Sequence, residues 1–497
     1  MATLFTSLSS HVESTALIIP SAPCPTTLSH RELFQLSLKF QQRLANIGIS
    51  PKHTIAISLP NTIEFAVAFL ATTFQRAGAA PLNPAYKQEE FEFCLQGPEV
   101  PLLLLPKGAV AENGEAVRAA TRCGTAMGEI YWDGSEVYLC IMDFGKTKKR
   151  FSVELETPVE SDIAVVLHTR ESAGQLKAIP LTHQTLCKTM AHEVETYHLS
   201  TSDRAMLIMP LYHIHGLVAA FLAPLSCGSS IIMPSRFSAQ DFWQDFKTYF
   251  ATWYTAIPPM HQALFRALPS LVPKMRFVRS CSSSLPENVK RRMEFALSAP
   301  VLEGNAMSDL AHETASSPTS TSSTPGTQTH KHGSVGRANG LEMVILDPNE
   351  NPLPRGEIGQ VCVLGSSIAP GYTSLINMPG FTKSGYFKTG DRGFIDEEGF
   401  MFLTATNKRR MSVVRRKGGI TEVVRNEKEY RINLSVGEVA ESENEKEERE
   451  VKVVRMGGSE KRYSSDESIE NEKEVEIKVV KRRRFSSLPR LLTSCFR

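Results

Sequence analysis

One stretch of the chain combines residue types that can hold a polyphosphate. It reads His168-Thr169-Arg170-Glu171-Ser172-Ala173-Gly174-Gln175-Leu176-Lys177 and directly follows an apolar, β-branched run at residues 163–167. The hydroxyls of Thr169 and Ser172 can donate to phosphate oxygens. Gly174 lets backbone amides come close, and the Lys177 ammonium offsets negative charge. A loop at the carboxyl end of a buried strand is where ligands bind in parallel sheets. Taken alone, the same residues also fit an ordinary surface turn.

The surrounding elements decide how such a loop is held. Short apolar runs at residues 54–59, 102–105, 163–167 and 231–233 read as buried strands, and longer amphipathic stretches lie between them. That alternation predicts an α/β fold of mostly parallel sheets covered by helices. Asn61 is placed to cap a helix over residues 64–73. Residues 214–234 carry no Asp, Glu, Lys or Arg, but Gly216, Pro224, Gly228 and Pro234 divide them, so a buried helix and strand are expected rather than a membrane span. Residues 315–330 are expected to form a flexible Ser/Thr/Pro loop. Beyond it, runs at 342–346, 359–363, 393–395 and 400–403, separated by Gly, Asn and Pro turns, predict a small antiparallel β subdomain.

Bulk properties narrow the function classes. The 497 residues exceed one simple core, and 41% hydrophobic with 22% charged residues is ordinary globular composition. A net charge of +2 gives no electrostatic case for a nucleic-acid partner. The nine cysteines are scattered, with no Cys-x-x-Cys pair, which suits a reducing compartment and argues against a disulfide framework or zinc site. No basic-then-apolar leader is present at the start, and the final residues Ser494-Cys495-Phe496-Arg497 do not match a peroxisomal address, so the expected location is cytoplasmic.

Four further stretches follow the first in order. They are Met209-Pro210-Leu211-Tyr212-His213-Ile214-His215-Gly216, Arg279-Ser280-Cys281-Ser282-Ser283-Ser284-Leu285, Glu303-Gly304-Asn305-Ala306-Met307-Ser308-Asp309 and Gly385-Tyr386-Phe387-Lys388-Thr389-Gly390-Asp391. Singly, each has a bland reading: a satisfied histidine, a polar loop, a helix-terminal carboxylate, a turn before a hairpin. As an ordered set, spanning about residues 27–403, they resemble the core motifs of the adenylate-forming (AMP-binding) acyl-CoA synthetases and related ligases. Ala251-Thr252-Trp253-Tyr254-Thr255-Ala256-Ile257-Pro258 and Gly365-Ser366-Ser367-Ile368-Ala369-Pro370-Gly371-Tyr372 are similar to the oxalate–CoA ligase-like branch.

The resemblance implies a large adenylation domain over residues 1–405, with α/β subdomains at about 1–160 and 161–335 and the β subdomain at 336–405. It implies an ATP- and Mg²⁺-dependent acid–CoA ligase in which a carboxylate attacks the α-phosphate and the acyl-adenylate passes to CoA. Thr169, Ser172, Gly174 and Lys177 would face the outer phosphates, and Ser308 the α-phosphate. Asp309 would hold Mg²⁺, a hard cation suited to carboxylate oxygen. Ser282, Ser283, Ser284, Glu303, Gly304 and Asn305 would line the adenine and acyl sites. Asp391 would accept from the ribose hydroxyls. His213 would stand between the acid pocket and the thiol channel, so catalytic contributions fall to Lys177, His213 and Ser308.

The sequence also departs from the family pattern. The usual phosphate loop is Thr-Ser-Gly-Thr-Thr-Gly-x-Pro-Lys-Gly, whereas Arg170-Glu171 stand here for Ser-Gly, and Leu176 and Ala178 replace Pro and the last Gly. A carboxylate ~4 Å from a phosphate costs on the order of 4 kcal/mol at an effective dielectric of about 20, so weakened ATP binding is expected. Asn305 replaces an aromatic residue that would stack on adenine. Residues 406–497 are rich in Lys, Arg, Glu and Ser and are expected to be a disordered charged tail in place of the family's small α+β domain with its late catalytic lysine. Two alternatives therefore stand beside the ligase: a catalytically impaired nucleotide- or acid-binding protein, and a truncated or mis-spliced gene product.

Overall fold

The computed structural model describes residues 2–9, 13–20, 25–96, 100–143, 152–170, 176–281, 285–307, 312–316, 331, 333–338, 340–365, 380–406, 413–417, 420–425 and 428–432. The chain divides into two units, residues 1–408 and 409–497. In the described part of the second unit, Val413–Lys417, Ile420–Arg425 and Lys428–Ile432 pair as an antiparallel meander. The other residues of the charged segment lie outside the described residues.

Two large sheets organise the first unit. In one, five parallel strands run in the order Ala126–Trp132, Leu102–Pro106, Thr54–Ile57, Gly78–Pro81 and Ile163–Arg170. Antiparallel strands Val137–Asp143 and Leu176–Thr182 close its two edges. The other sheet places Val301–Met307, Phe277–Ser280, Trp253–Ala256, Arg204–Met206, Ser230–Ile232 and Thr15–Ile19 side by side in parallel. Its edges are again antiparallel, with Thr26–Ser29 at one side and His312–Ser316 followed by Arg337–Ala338 at the other.

One continuous apolar core joins the inner faces of both sheets through shared helices. Helix Ile63–Phe74 buries every residue except Glu64, which is why its sequence is apolar all round rather than amphipathic. Each large side chain buried there contributes about 1.5–3 kcal/mol. Glu64 has a partner of its own: its carboxylate accepts the Trp132 backbone N–H at 2.8 Å. Helix His183–Tyr197 starts at Thr182, whose hydroxyl accepts the Thr185 N–H at 3.2 Å.

The stretch 214–234 forms the expected buried helix and strand. His215–Leu222 winds with i→i−5 hydrogen bonds, the Ala223 N–H donating to Val218 O, and all eight residues are buried. Strand Ser230–Ile232 follows. Among the described residues no helix is long and apolar enough to cross a membrane.

The small antiparallel sheet is also as expected in kind. Glu342–Leu346, Gly359–Leu364, Phe387–Ile395 and Met401–Thr406 pair in sequence order. Residues 334–338 tie it to the large sheet: Val335 N–H and Ser334 Oγ donate to Met401 O at 3.0 and 2.8 Å, while Arg337 and Ala338 pair with Ser316 and Ala315.

Candidate active site

Parallel strands deliver three of the motifs to one edge of the second sheet. Register pairs Ser280 with Glu303, so Ser280 ends its strand beside Glu303 on the next, with Cys281 directly after it. Strand Arg204–Met206 lies beside Trp253–Ala256, which lies beside Phe277–Ser280. The segment carrying His213 therefore emerges at the same carboxyl edge. This is where an α/β sheet binds its ligands.

His213 has an exposed surface but is crowded by protein atoms, and that loss of hydration holds its pKa below the ordinary imidazole value. Its ring lies 5.7 Å from that of Tyr212. Its N–H donates to Pro210 O at 3.2 Å, and its carbonyl accepts the Leu217 N–H at 2.9 Å. Gly216 packs so tightly on this turn that a Cβ there would overlap Pro210 O and stand 2.9 Å from the Pro210 carbonyl carbon and 3.0 Å from Met209 O. Glycine is required at this position by close approach, without a positive φ.

Beneath these segments runs a buried polar chain. His215 Nε2 and Thr255 Oγ1 are 2.5 Å apart, and Thr255 Oγ1 accepts from Arg279 Nη1 at 3.5 Å. The Arg279 side chain is 0% exposed; Nε donates to Tyr197 Oη at 3.0 Å and the guanidinium meets Glu193 at 3.7 Å. A buried guanidinium needs such partners, because its desolvation is otherwise uncompensated. The network links the His213-containing motif to the strand that leads into the serine loop.

Glu303 is held from below. The Lys290 ammonium, 1% exposed, donates to Glu303 Oε1 at 3.2 Å. Sequence reasoning missed Lys290, since nothing local in helix Glu287–Leu297 marks one of its basic residues as buried. Gly304 and Asn305 lie in strand Val301–Met307 opposite Ser316 and Ala315.

The phosphate-loop segment differs from a plain loop after a strand. Strand Ile163–Arg170 continues through His168 and Thr169, then turns back through Leu176–Thr182, so that Thr169 and Lys177 are direct cross-strand partners. The pairing extends because Leu176-Lys177-Ala178-Ile179 can add an edge strand. A hydroxyl and an ammonium thus stand together at the mouth of a hairpin. His168 sits one residue away, and burial pushes its pKa down to about 4, leaving it neutral at pH 7. Asp391 is also within a strand, not at a turn before a hairpin; it is buried, pairs in register with Thr406, and its N–H donates to Thr389 Oγ1 at 3.1 Å.

Ser172, Gly174, Ser282, Ser283, Ser284, Ser308 and Asp309 lie outside the described residues, as does most of the 315–330 loop. Among the described residues no group of three His, Cys, Asp or Glu side chains could hold a metal ion. The described cysteines are all free thiols, in keeping with the scattered pattern.

Two parallel sheets, with the His213, Ser280–Cys281 and Glu303 segments at one carboxyl edge and Thr169 paired with Lys177 in the other sheet, define an α/β protein with a candidate ligand-binding edge. The chain belongs to the AMP-binding enzyme family, whose pattern matches residues 5–373. The oxalate–CoA ligase of Arabidopsis thaliana is 37% identical over 390 residues, covering 77% of this chain and 74% of that protein. The oxalate–CoA ligase of Saccharomyces cerevisiae is 32% identical over 80% of this chain and 77% of its own length. ATP-bound MatB from Rhodopseudomonas palustris shares the fold with a TM-score of 0.68 at 23% identity, over 85% of this chain and 82% of that one. So does O-succinylbenzoate coenzyme A synthetase (MenE) from Bacillus subtilis in complex with ATP and magnesium ion, with a TM-score of 0.67 at 20% identity and coverage of 85% and 82%. Membership places the chain among the acid–thiol ligases, the acyl-CoA synthetases.

Proposed function

We propose that this chain activates a small carboxylic acid with ATP, forming an acyl-adenylate and pyrophosphate, and that oxalate is the first acid to try. The observation that carries the reading is the convergence of the His213 segment, the Ser280–Cys281 strand end and Glu303-Gly304 on adjacent parallel strands. An acid and ATP bound at that edge would meet in the geometry that in-line attack of the carboxylate on the α-phosphate needs, with pyrophosphate leaving opposite. Identity of 37% to one oxalate–CoA ligase and 32% to another supports the choice of acid.

Residue roles follow from chemistry and resemblance together. Thr169 and Lys177 supply the hydroxyl and ammonium that a polyphosphate takes, side by side on paired strands. Ser172 and Gly174 would complete that cradle, Ser308 would meet the α-phosphate, and Asp309 with substrate phosphates would hold Mg²⁺, which keeps few protein ligands. Ser282, Ser283, Ser284, Glu303, Gly304 and Asn305 would bound adenine and acid, and Asp391 would accept from ribose. A neutral His213, its pKa lowered by crowding, suits a position beside an incoming CoA thiol.

Titration of the purified chain with ATP and Mg²⁺, followed by ATP–pyrophosphate exchange over a panel of acids, tests this. Acid-dependent exchange with oxalate supports the reading. Exchange with another acid replaces the substrate, and no exchange with any acid removes the activity. A second reading, a binding protein without turnover, is favoured by one observation: Glu171 puts a carboxylate into a loop meant for polyphosphate. ATP binding without exchange would select it. A truncated or mis-spliced product is tested by the transcript across codons 400 to 420.

A further inference from the structure

We propose that Asn61 is a positioning residue that holds the His213 turn in register, an inference that rests on the acid–thiol role of that turn. The sequence suggests a helix cap at Asn61, but Thr62 is the residue that caps. Its hydroxyl accepts the Phe65 N–H at 3.4 Å at the start of helix Ile63–Phe74. The Asn61 amide is used elsewhere. Its Nδ2 donates to Met209 O at 2.9 Å, and its Oδ1 accepts the Leu211 N–H at 3.0 Å.

The two bonds bracket Pro210, which has no N–H of its own. The planar amide thus acts as a one-residue strand partner, with donor and acceptor matched to the carbonyl of residue 209 and the amide of residue 211. Met209 and Leu211 are 3% and 1% exposed, so water cannot replace either bond freely. Aspartate would turn an oxygen toward the Met209 carbonyl, and alanine would leave both backbone groups unpaired.

The clamp is stiffly connected to His213. Pro210 O accepts the His213 N–H, the His213 carbonyl accepts the Leu217 N–H, and Gly216 seats directly on Pro210. No slack remains between the clamped residues and the histidine. Asn61 follows strand Thr54–Ile57 of one sheet, whereas the turn follows strand Arg204–Met206 of the other. Asn61 therefore sets His213 relative to the sheet that also carries Thr169 and Lys177.

The test compares Asn61→Ala and Asn61→Asp with Thr62→Ala, which removes the neighbouring cap and lowers stability without touching the clamp. Three readouts are taken: melting temperature, ATP affinity by calorimetry, and kcat and KM for the acid in ATP–pyrophosphate exchange. A displacement near 1 Å at the turn predicts a fall of about 10- to 100-fold in kcat/KM for the acid in both Asn61 variants. ATP affinity should stay within about twofold, because the clamp touches no nucleotide residue. Thr62→Ala should lower the melting temperature while leaving kcat/KM near wild type.

A loss in Asn61→Ala no larger than that in Thr62→Ala overturns the proposal. Should the wild-type chain show no exchange, the activity reading fails and the positioning claim is decided separately. The ring signal of His213 in histidine-labelled protein, assigned with His213→Gln, must then move in Asn61→Ala and not in Thr62→Ala. An unmoved signal overturns it.

Discussion

Replacing Gly216 by alanine should damage both stability and the His213 turn, and the structure sets the size. The new Cβ would overlap Pro210 O and stand 2.9 Å from the Pro210 carbonyl carbon and 3.0 Å from Met209 O. Carbon contacts settle near 3.5–4.0 Å, so backbone must retreat by several tenths of an ångström to about 1 Å. The neighbours are main-chain atoms of residues clamped by Asn61, so no flexible side chain can yield. Overpacking of this kind costs about 2 kcal/mol, or a melting-temperature drop of about 2 °C in a unit of this size. Helix propensity works in the opposite direction, since alanine is favoured over glycine by about 1 kcal/mol, but a Cβ against carbonyl oxygen outweighs it. The matched control is Gly78→Ala, whose Cβ would find its nearest neighbour, Thr54 Oγ1, at an ordinary 3.4 Å. Thermal and urea unfolding of both variants, with acid-dependent exchange alongside, is the assay. A Gly216→Ala protein as stable and active as Gly78→Ala would refute the close-packing argument.

Other expectations follow from the same structure. Burial lowers the pKa of His168, His183 and His261 to about 4 each. Their unfolded forms titrate near 6.5, so the unfolded chain binds more protons below that pH; stability is full above pH 6.5 and falls as pH drops toward 4, by about 2 kcal/mol per histidine at pH 5. Urea unfolding at pH 7.5 and 5.0 checks this, and a histidine-to-glutamine change at one site should remove that site's share of the slope. Lys290→Met leaves the Glu303 carboxylate without its buried cation and should cost about 2–3 kcal/mol by denaturant unfolding while weakening ATP binding in calorimetry. Phe295 is 89% exposed, so Phe295→Ser should stay within about 0.5 kcal/mol of wild type in the same unfolding assay.

The sequence by itself determined the α/β class, the family and most strand positions, because these rest on local quantities. Short apolar runs flanked by Gly and Pro favour buried strands over helices by their length, and 54–59, 102–105 and 342–346 appear as Thr54–Ile57, Leu102–Pro106 and Glu342–Leu346. The ordered motifs carried the family because their residue types are dictated by chemistry rather than by packing. The antiparallel pairing of Thr169 with Lys177, the strand position of Asp391 and the use of Asn61 were decided only by the tertiary structure. The separations differ: Asn61 binds residues 148 and 150 positions away, whereas Thr169 pairs with Lys177 and Lys290 with Glu303 on consecutive elements, where the fold sets the pairing and burial. Hydrogen-bond partners of buried polar groups are set by which strand ends and helix starts fold together. A local reading sees that Asn61 can cap a helix; only the folded chain supplies the carbonyl and amide that bind its side chain instead.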